Sequence, residues 1–149
     1  MPEILLDTSF MLPTLGIEVA EIGRKDLEEL KALSDRATLH CSYVSFVEIL
    51  GLLGKRFKNS DDTAVRSGIK SLLESGTYHW ANPSSRAVHL ALDLRAKGHK
   101  DNIDNILYST ALDSEMYFLS LDLELKRFLD RNKYDTSIIG GTSDLLRRI

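Results

Sequence analysis

Four acidic residues, Asp7, Glu48, Asp104 and Asp122, each stand where a short apolar run gives way to a helical pattern. They are scattered along most of the chain, but in a parallel α/β sheet the carboxyl ends of the strands share one edge, where distant residues become neighbours. Carboxylates crowded into one small volume disfavour one another's ionisation, whereas a divalent cation reverses the repulsion and holds them as anionic ligands. The chemistry this set could do is therefore that of a cation site. Mg2+ and Mn2+ take oxygen ligands and keep several waters, which suits carboxylates without a supporting His or Cys set. His40, His79, His89 and His99 lack zinc-ligand spacing, and the single Cys41 cannot make a thiolate site.

Each acid also has a plainer job open to it. Asp7, Asp101 and Asp122 could be helix N-caps, and Ser45-Phe46-Val47-Glu48 has the S-x-x-E form of a capping box. Asp101 and Asp104 are spaced D-x-x-D, so Asp101 can cap a helix while Asp104, one turn inside it, points at the metal. The coincidence of four acids at strand-to-helix junctions favours a shared site over independent caps.

The elements that would position them alternate. Ile4-Leu5-Leu6 reads as a buried strand, and Asp7-Thr8-Ser9 can cap a short helix before Pro13 and Gly16. A helix over 26–33 carries the stripe Leu27, Leu30 and Ala32-Leu33, and 38–43 is a strand. Ser45 opens a strongly apolar helix through Leu53, and 61–75 repeats an amphipathic pattern with Val65, Ile69, Leu72 and Leu73. A strand at 78–81 and a helix over 84–97 follow. In the helix over 101–115, Ile103, Ile106-Leu107 and Thr110-Ala111 take the core face, with Asp101, Asp104, Asn105 and Tyr108 on another. A strand over 116–120, a helix over 123–132 and a last strand, Ser137-Ile138-Ile139, before a Gly140-Gly141 turn complete the pattern. Strands separated by helices mark β-α-β crossovers, so the expectation is one domain over 1–149, a three-layer α/β/α sandwich with a mainly parallel central sheet.

Composition narrows the function. The chain of 149 residues has ordinary hydrophobic and charged content, and its net charge of −3 gives no whole-surface sign of nucleic-acid binding. Metal neutralising the acids would leave the local groups Lys55-Arg56-Lys58, Arg95-Lys97-Lys100 and Lys126-Arg127 to meet phosphates; taken alone, each is more simply a solvated helix end. Ile4-Leu5-Leu6 lacks the flank and length of a signal peptide, nothing reaches transmembrane length, and a lone cysteine in an apolar run suits a reducing cytosol, so a cytoplasmic protein is expected. There is no phosphate-binding glycine loop, dinucleotide fingerprint or G-x-S-x-G elbow.

Four blocks, Ile4-Leu5-Leu6-Asp7-Thr8-Ser9, Ser45-Phe46-Val47-Glu48-Ile49-Leu50, Asp104 with its I-L-Y-S-T-A helix, and Leu119-Ser120-Leu121-Asp122, resemble in order and spacing the PIN-domain family, within it the small VapC-like ribonuclease toxins. The resemblance covers nearly the whole chain. It implies that Asp7, Glu48, Asp104 and Asp122 are the metal-binding acids, that Ser9 and Ser120 are their polar neighbours, and that Glu124 is an accessory acid. Asp101 and Glu124 would then orient the ligands, with Lys55, Arg95 or Lys100 positioning the RNA backbone. It further implies Mg2+- or Mn2+-dependent hydrolysis of RNA, a homodimer and an antitoxin protein as partner. The other readings are an RNA-processing nuclease of this family outside a toxin system, a non-catalytic scaffold binding RNA or protein, and a phosphatase using Asp7, which D-T-S fits poorly. Two residues depart from the family's pattern: Asn105 follows the helix aspartate where a small residue is common, and Leu121 precedes the last aspartate where a basic one is common.

Overall fold

The computed structural model describes residues 1–55 and 62–149; Arg56 and Lys58 of the first basic group, and Asp61, the expected start of a helix, lie outside the described residues. Strands β1 (Glu3–Leu6), β2 (Thr38–Ser42), β3 (Tyr78–Ala81), β4 (Tyr117–Leu119) and β5 (Ile139–Gly140) form one sheet in the order β3-β2-β1-β4-β5. Every pairing between them is parallel. The helices are α1 (Arg24–Ser34), α2 (Ser45–Gly54), α3 (Thr63–Glu74), α4 (Ser85–Ala96), α5 (Asn102–Asp113), α6 (Leu123–Arg131) and α7 (Thr142–Arg148).

After the exposed Glu3, strand β1 is an apolar run, Ile4-Leu5-Leu6, because both faces of the sheet are covered. Ile4 and Leu6 point into a core with Leu33, Ile49, Leu72 and Leu145, whereas Leu5 points the other way into a core with Leu94, Leu107, Phe118 and Leu125. Helices α1, α2, α3 and α7 thus form one outer layer and α4, α5 and α6 the other, the PIN-like three-layer arrangement expected. Each fully buried Leu, Ile or Phe contributes roughly 1.5–3 kcal/mol, so these two cores hold the sheet edge rigid. The chain leaves β1 toward the first layer and β4 toward the second, so a crevice opens at the carboxyl ends of these adjacent strands.

Several local expectations needed correction. After β1 come two short 3-10 turns, Thr8–Phe10 and Leu12–Leu15, with Pro13 inside the second; near a helix start, its missing N–H costs nothing. The S-x-x-E capping box does not form: Val44 is the N-cap of α2, Ser45 is already helical, and the Ser45 hydroxyl is buried without a partner. That removes capping as an explanation of Glu48. In α1, Leu27 is exposed and the one buried residue is Leu33, near the end of the helix. Helix α5 is buried on more than the expected face, with Asp104, Asn105 and Tyr108 enclosed as well as Leu107 and Ala111.

The last strand is Ile139–Gly140, and the glycine pair is no simple turn. Gly140 lies in the strand because α7 crosses so closely that a Cβ there would stand 2.9 Å from that of Asp144. Gly141 is the N-cap of α7, which the sequence reading lacked. Thr142 Oγ1 and Ser143 Oγ donate to the Glu29 carboxylate at 2.6 and 2.8 Å, tying α7 to α1 and holding the Glu29 carboxyl below its ordinary value.

Candidate metal centre

Asp7 follows β1 and Asp122 follows β4, so the parallel pairing of these strands brings them to the crevice together. The Asp7 amide donates to Leu119 O at 3.0 Å, continuing the ladder one residue past the strand. The side chain is held from two sides. Thr8 N donates to Oδ1 at 2.7 Å and Ser120 Oγ donates to Oδ2 at 2.7 Å, and the same Ser120 oxygen accepts from Asp122 N at 3.2 Å. Ser120 is therefore the rivet between the two strand ends.

Asp101 and Asp122 are both N-caps: Asp101 Oδ1 accepts from Ile103 N and Asp104 N at 3.1 Å, and Asp122 Oδ1 accepts from Leu125 N at 2.9 Å. Capping and gathering are thus compatible, because a helix start at a strand exit faces the crevice. Asp104, inside the first turn of α5, has no capping bond to explain it. With Asp7, Ser9, Glu48, Asp101 and Asp122 it lines a cavity of about 420 Å³ whose apolar wall includes Val19, Ile22 and Leu121. A larger open cleft of about 730 Å³ adjoins it, but none of the four acids lines that one.

The electrostatics are those of frustrated anions. Asp104 is 8% exposed, and burial, then Asp7 and Asp101, then a hydrogen bond to the Asp122 carboxyl push its pKa up to about 9. Burial likewise raises Asp7, opposed by its bonds to Ser120 and Thr8 and helped by Asp122 and Asp101. Glu48, half-buried on α2, is raised by burial and by Asp7 and Asp101. Thr8 Oγ1, only 1% exposed, lies beside Glu48 without a well-formed hydrogen bond.

This donor set fits a hard divalent cation: all oxygen, crowded with negative charge, and roomy enough for an ion to keep several waters. Among the described residues no three His, Cys, Asp or Glu side chains already stand as a closed ligand set. The acids line one cavity without three of them meeting at one point, so an ion there would take only one or two of them directly and reach the others through water.

The remaining expected residues fall into three places. Ser9 lines the acid cavity, while Glu124 and Lys100 line an adjoining one with Asp101, Asp104 and Asp122. Arg95 braces the loop between α4 and α5, its Nη1 donating to Lys100 O at 2.5 Å and to Asn102 Oδ1 at 3.4 Å. Lys55 is the exposed C-cap of α2, about 10 Å along that helix from Glu48. Lys97 is engaged elsewhere, donating to Tyr134 Oη at 2.8 Å.

One residue set aside on sequence stands at the site: His99 lines the adjoining cavity. Its Nδ1 pairs with Asn105 Oδ1 at 2.6 Å, and Asn105 Nδ2 donates back to His99 O at 2.8 Å. The unusual Asn105 was the available signal. It stands next to Asp104 to fasten this loop.

Among the described residues no helix is long and apolar enough to cross a membrane. No family model matches the chain, and no curated protein matches it. Among solved structures, VapBC2 from Rickettsia felis, bound to a DNA fragment from their promoter, is similar over 85% of this chain and 92% of that one, with a TM-score of 0.62 at 14% identity. At that identity the likeness establishes a shared fold, and the chemistry rests on the residues in the crevice.

Proposed function

We propose that the protein is a Mg2+- or Mn2+-dependent endoribonuclease of the PIN type, the toxin of a toxin–antitoxin pair. The observation that carries the reading is the cavity into which Asp7, Glu48, Asp104 and Asp122 converge, with Asp104 too poorly solvated to be an ordinary surface carboxylate. Asp7, Glu48, Asp104 and Asp122 would hold the ion, directly or through water. When bound, it supplies Lewis acidity, activating water and offsetting the charge that develops on the phosphate. Ser120 and Thr8 fix the Asp7 carboxylate, Asp101 fixes the first turn that carries Asp104, and Val19, Ile22 and Leu121 limit water on one side of the cavity. Hydrolysis then adds water to phosphorus and breaks the bond to the leaving ribose oxygen.

The toxin assignment takes support from the VapBC2 likeness and from α2, where Val47 and Leu50 are each 68% exposed beside the helix turn that carries Glu48. An apolar stripe at that spacing suits a second copy or a partner helix. The test is cleavage of single-stranded RNA by the purified protein. Mg2+ or Mn2+ should support cleavage and EDTA should stop it; equal cleavage in EDTA would overturn the proposal. Light scattering at micromolar concentration should show a dimer that Leu50→Lys dissociates.

A further inference from the structure

The cavity that adjoins the acids, about 280 Å³, runs between two walls. One is the loop Gly98-His99-Lys100; the other is a stripe of α6, Glu124, Phe128 and Arg131. Residues at i, i+4 and i+7 share a helix face, so the stripe runs from an acid beside the Asp122 N-cap to a cation about 10 Å away. The groove thus passes from the metal-type carboxylates toward Lys100 and Arg131, neither of which forms an ion pair among the described residues.

The loop wall is built. Gly98, at φ 111°, reverses the chain after α4, with Gly98 N donating to Arg95 O at 3.0 Å and His99 N to Leu94 O at 3.1 Å. The His99 ring lies 5.0 Å from Phe128, and Asn105 settles its tautomer. Because Asn105 Nδ2 must face the His99 carbonyl, Oδ1 faces Nδ1, which therefore carries the proton. In the neutral ring Nε2 is left as a bare acceptor with no protein partner among the described residues.

We propose that this groove binds one nucleotide flanking the scissile phosphate of single-stranded RNA, with Lys100 and Arg131 on backbone phosphate, the sugar and base against the His99–Phe128 pair, and His99 Nε2 accepting from the ribose 2′-hydroxyl. The acceptor gives the site a preference for RNA over DNA, since only RNA offers that donor. The assignment deepens the ribonuclease reading and rests on it for the class of ligand.

Binding separates the two. In the Asp104→Asn background, where hydrolysis is removed, the anisotropy of fluorescein-labelled RNA and DNA hexamers of one sequence is measured across salt concentrations. Adding Lys100→Gln with Arg131→Gln should weaken RNA binding about tenfold or more and lower the salt slope by about 1.4, two single-strand phosphate contacts. Adding His99→Asn, which keeps a donor for Asn105 but deletes Nε2, should bring RNA and DNA affinities toward parity and leave the salt slope alone. A thermal melt verifies that each variant is folded, and Lys100→Gln with Arg131→Gln, both exposed, carries the test if His99→Asn is not. An unchanged affinity and slope, or an unchanged RNA preference in folded His99→Asn, overturns the subsite. Cleavage by the wild type with these results would sink the subsite alone; RNA binding that follows the groove without cleavage by the wild type would sink the hydrolase alone.

Discussion

Helices α5 and α2 each present one acid to the same cavity, but they are built in opposite ways. Helix α5 is enclosed along most of its length, and apart from the buried Ser109 hydroxyl most of its polar side chains are tied down: Asn105 to His99, Tyr108 Oη to Asp135 O at 2.8 Å, Thr110 Oγ1 to Ile106 O at 2.7 Å. Helix α2 starts without a side-chain cap and turns Val47 and Leu50 outward. Asp104 is therefore a carboxyl position fixed by the fold, whereas Glu48 sits half-buried on a more exposed helix. The structure thus separates an acid held in place by the enclosed helix from one on a more exposed helix.

The largest effect should come from breaking the fixed side. Asp104→Asn should abolish RNA cleavage, a loss beyond the roughly 10–100-fold typical for an outer partner of a metal site. Glu48→Gln should lower cleavage while leaving stability within about 0.5 kcal/mol, as expected for a partly exposed side chain. If Glu48→Gln lowers cleavage as far as Asp104→Asn does, or costs well over about 0.5 kcal/mol of stability, the contrast between the helices is wrong. Next comes the brace: Asn105→Ala should destabilise the protein by about 1–3 kcal/mol in urea unfolding, because it removes a buried amide and leaves its part-buried His99 partners unpaired. The smallest effect should be at the cap. Asp101→Asn should keep its backbone bonds and stay within about 1 kcal/mol, whereas Asp101→Ala should cost about 0.5–2 kcal/mol, with partial cleavage surviving both.

The same contrast explains what the sequence made legible. Asp7, Asp101 and Asp122 could be placed because strand exits and N-caps leave local signatures, and the alternation of elements dictated a parallel sheet. The S-x-x-E spacing of Ser45 and Glu48 suggested a capping box that does not form, because that pattern is short-range whereas α2 begins after Val44 with the Ser45 hydroxyl buried. Helix α7 was missed because a Gly-Gly pair reads as a turn, although here the first glycine admits a crossing helix and the second begins it. His99 was illegible for another reason. Its place depends on the reversal at Gly98, the amide of Asn105 and the ring of Phe128, and no fixed spacing encodes that combination.

The central claim is that the fold holds carboxylates together at a cost that a divalent cation relieves. Asp104 is raised in the folded protein, so the stability it contributes is complete below its ordinary value of 3.8 and is lost as pH rises toward about 9. His40 is lowered by burial and adds no slope well above pH 6.5. The direct measurement is Tm from pH 7 to 8.5 in EDTA and in Mg2+, for the wild type and Asp104→Asn. The wild type in EDTA should lose stability as pH rises and regain it with Mg2+, by a margin that grows with pH, and Asp104→Asn should flatten the slope and remove most of the gain. A wild-type Tm indifferent to both pH and metal, or an equal metal gain in Asp104→Asn, would contradict the account.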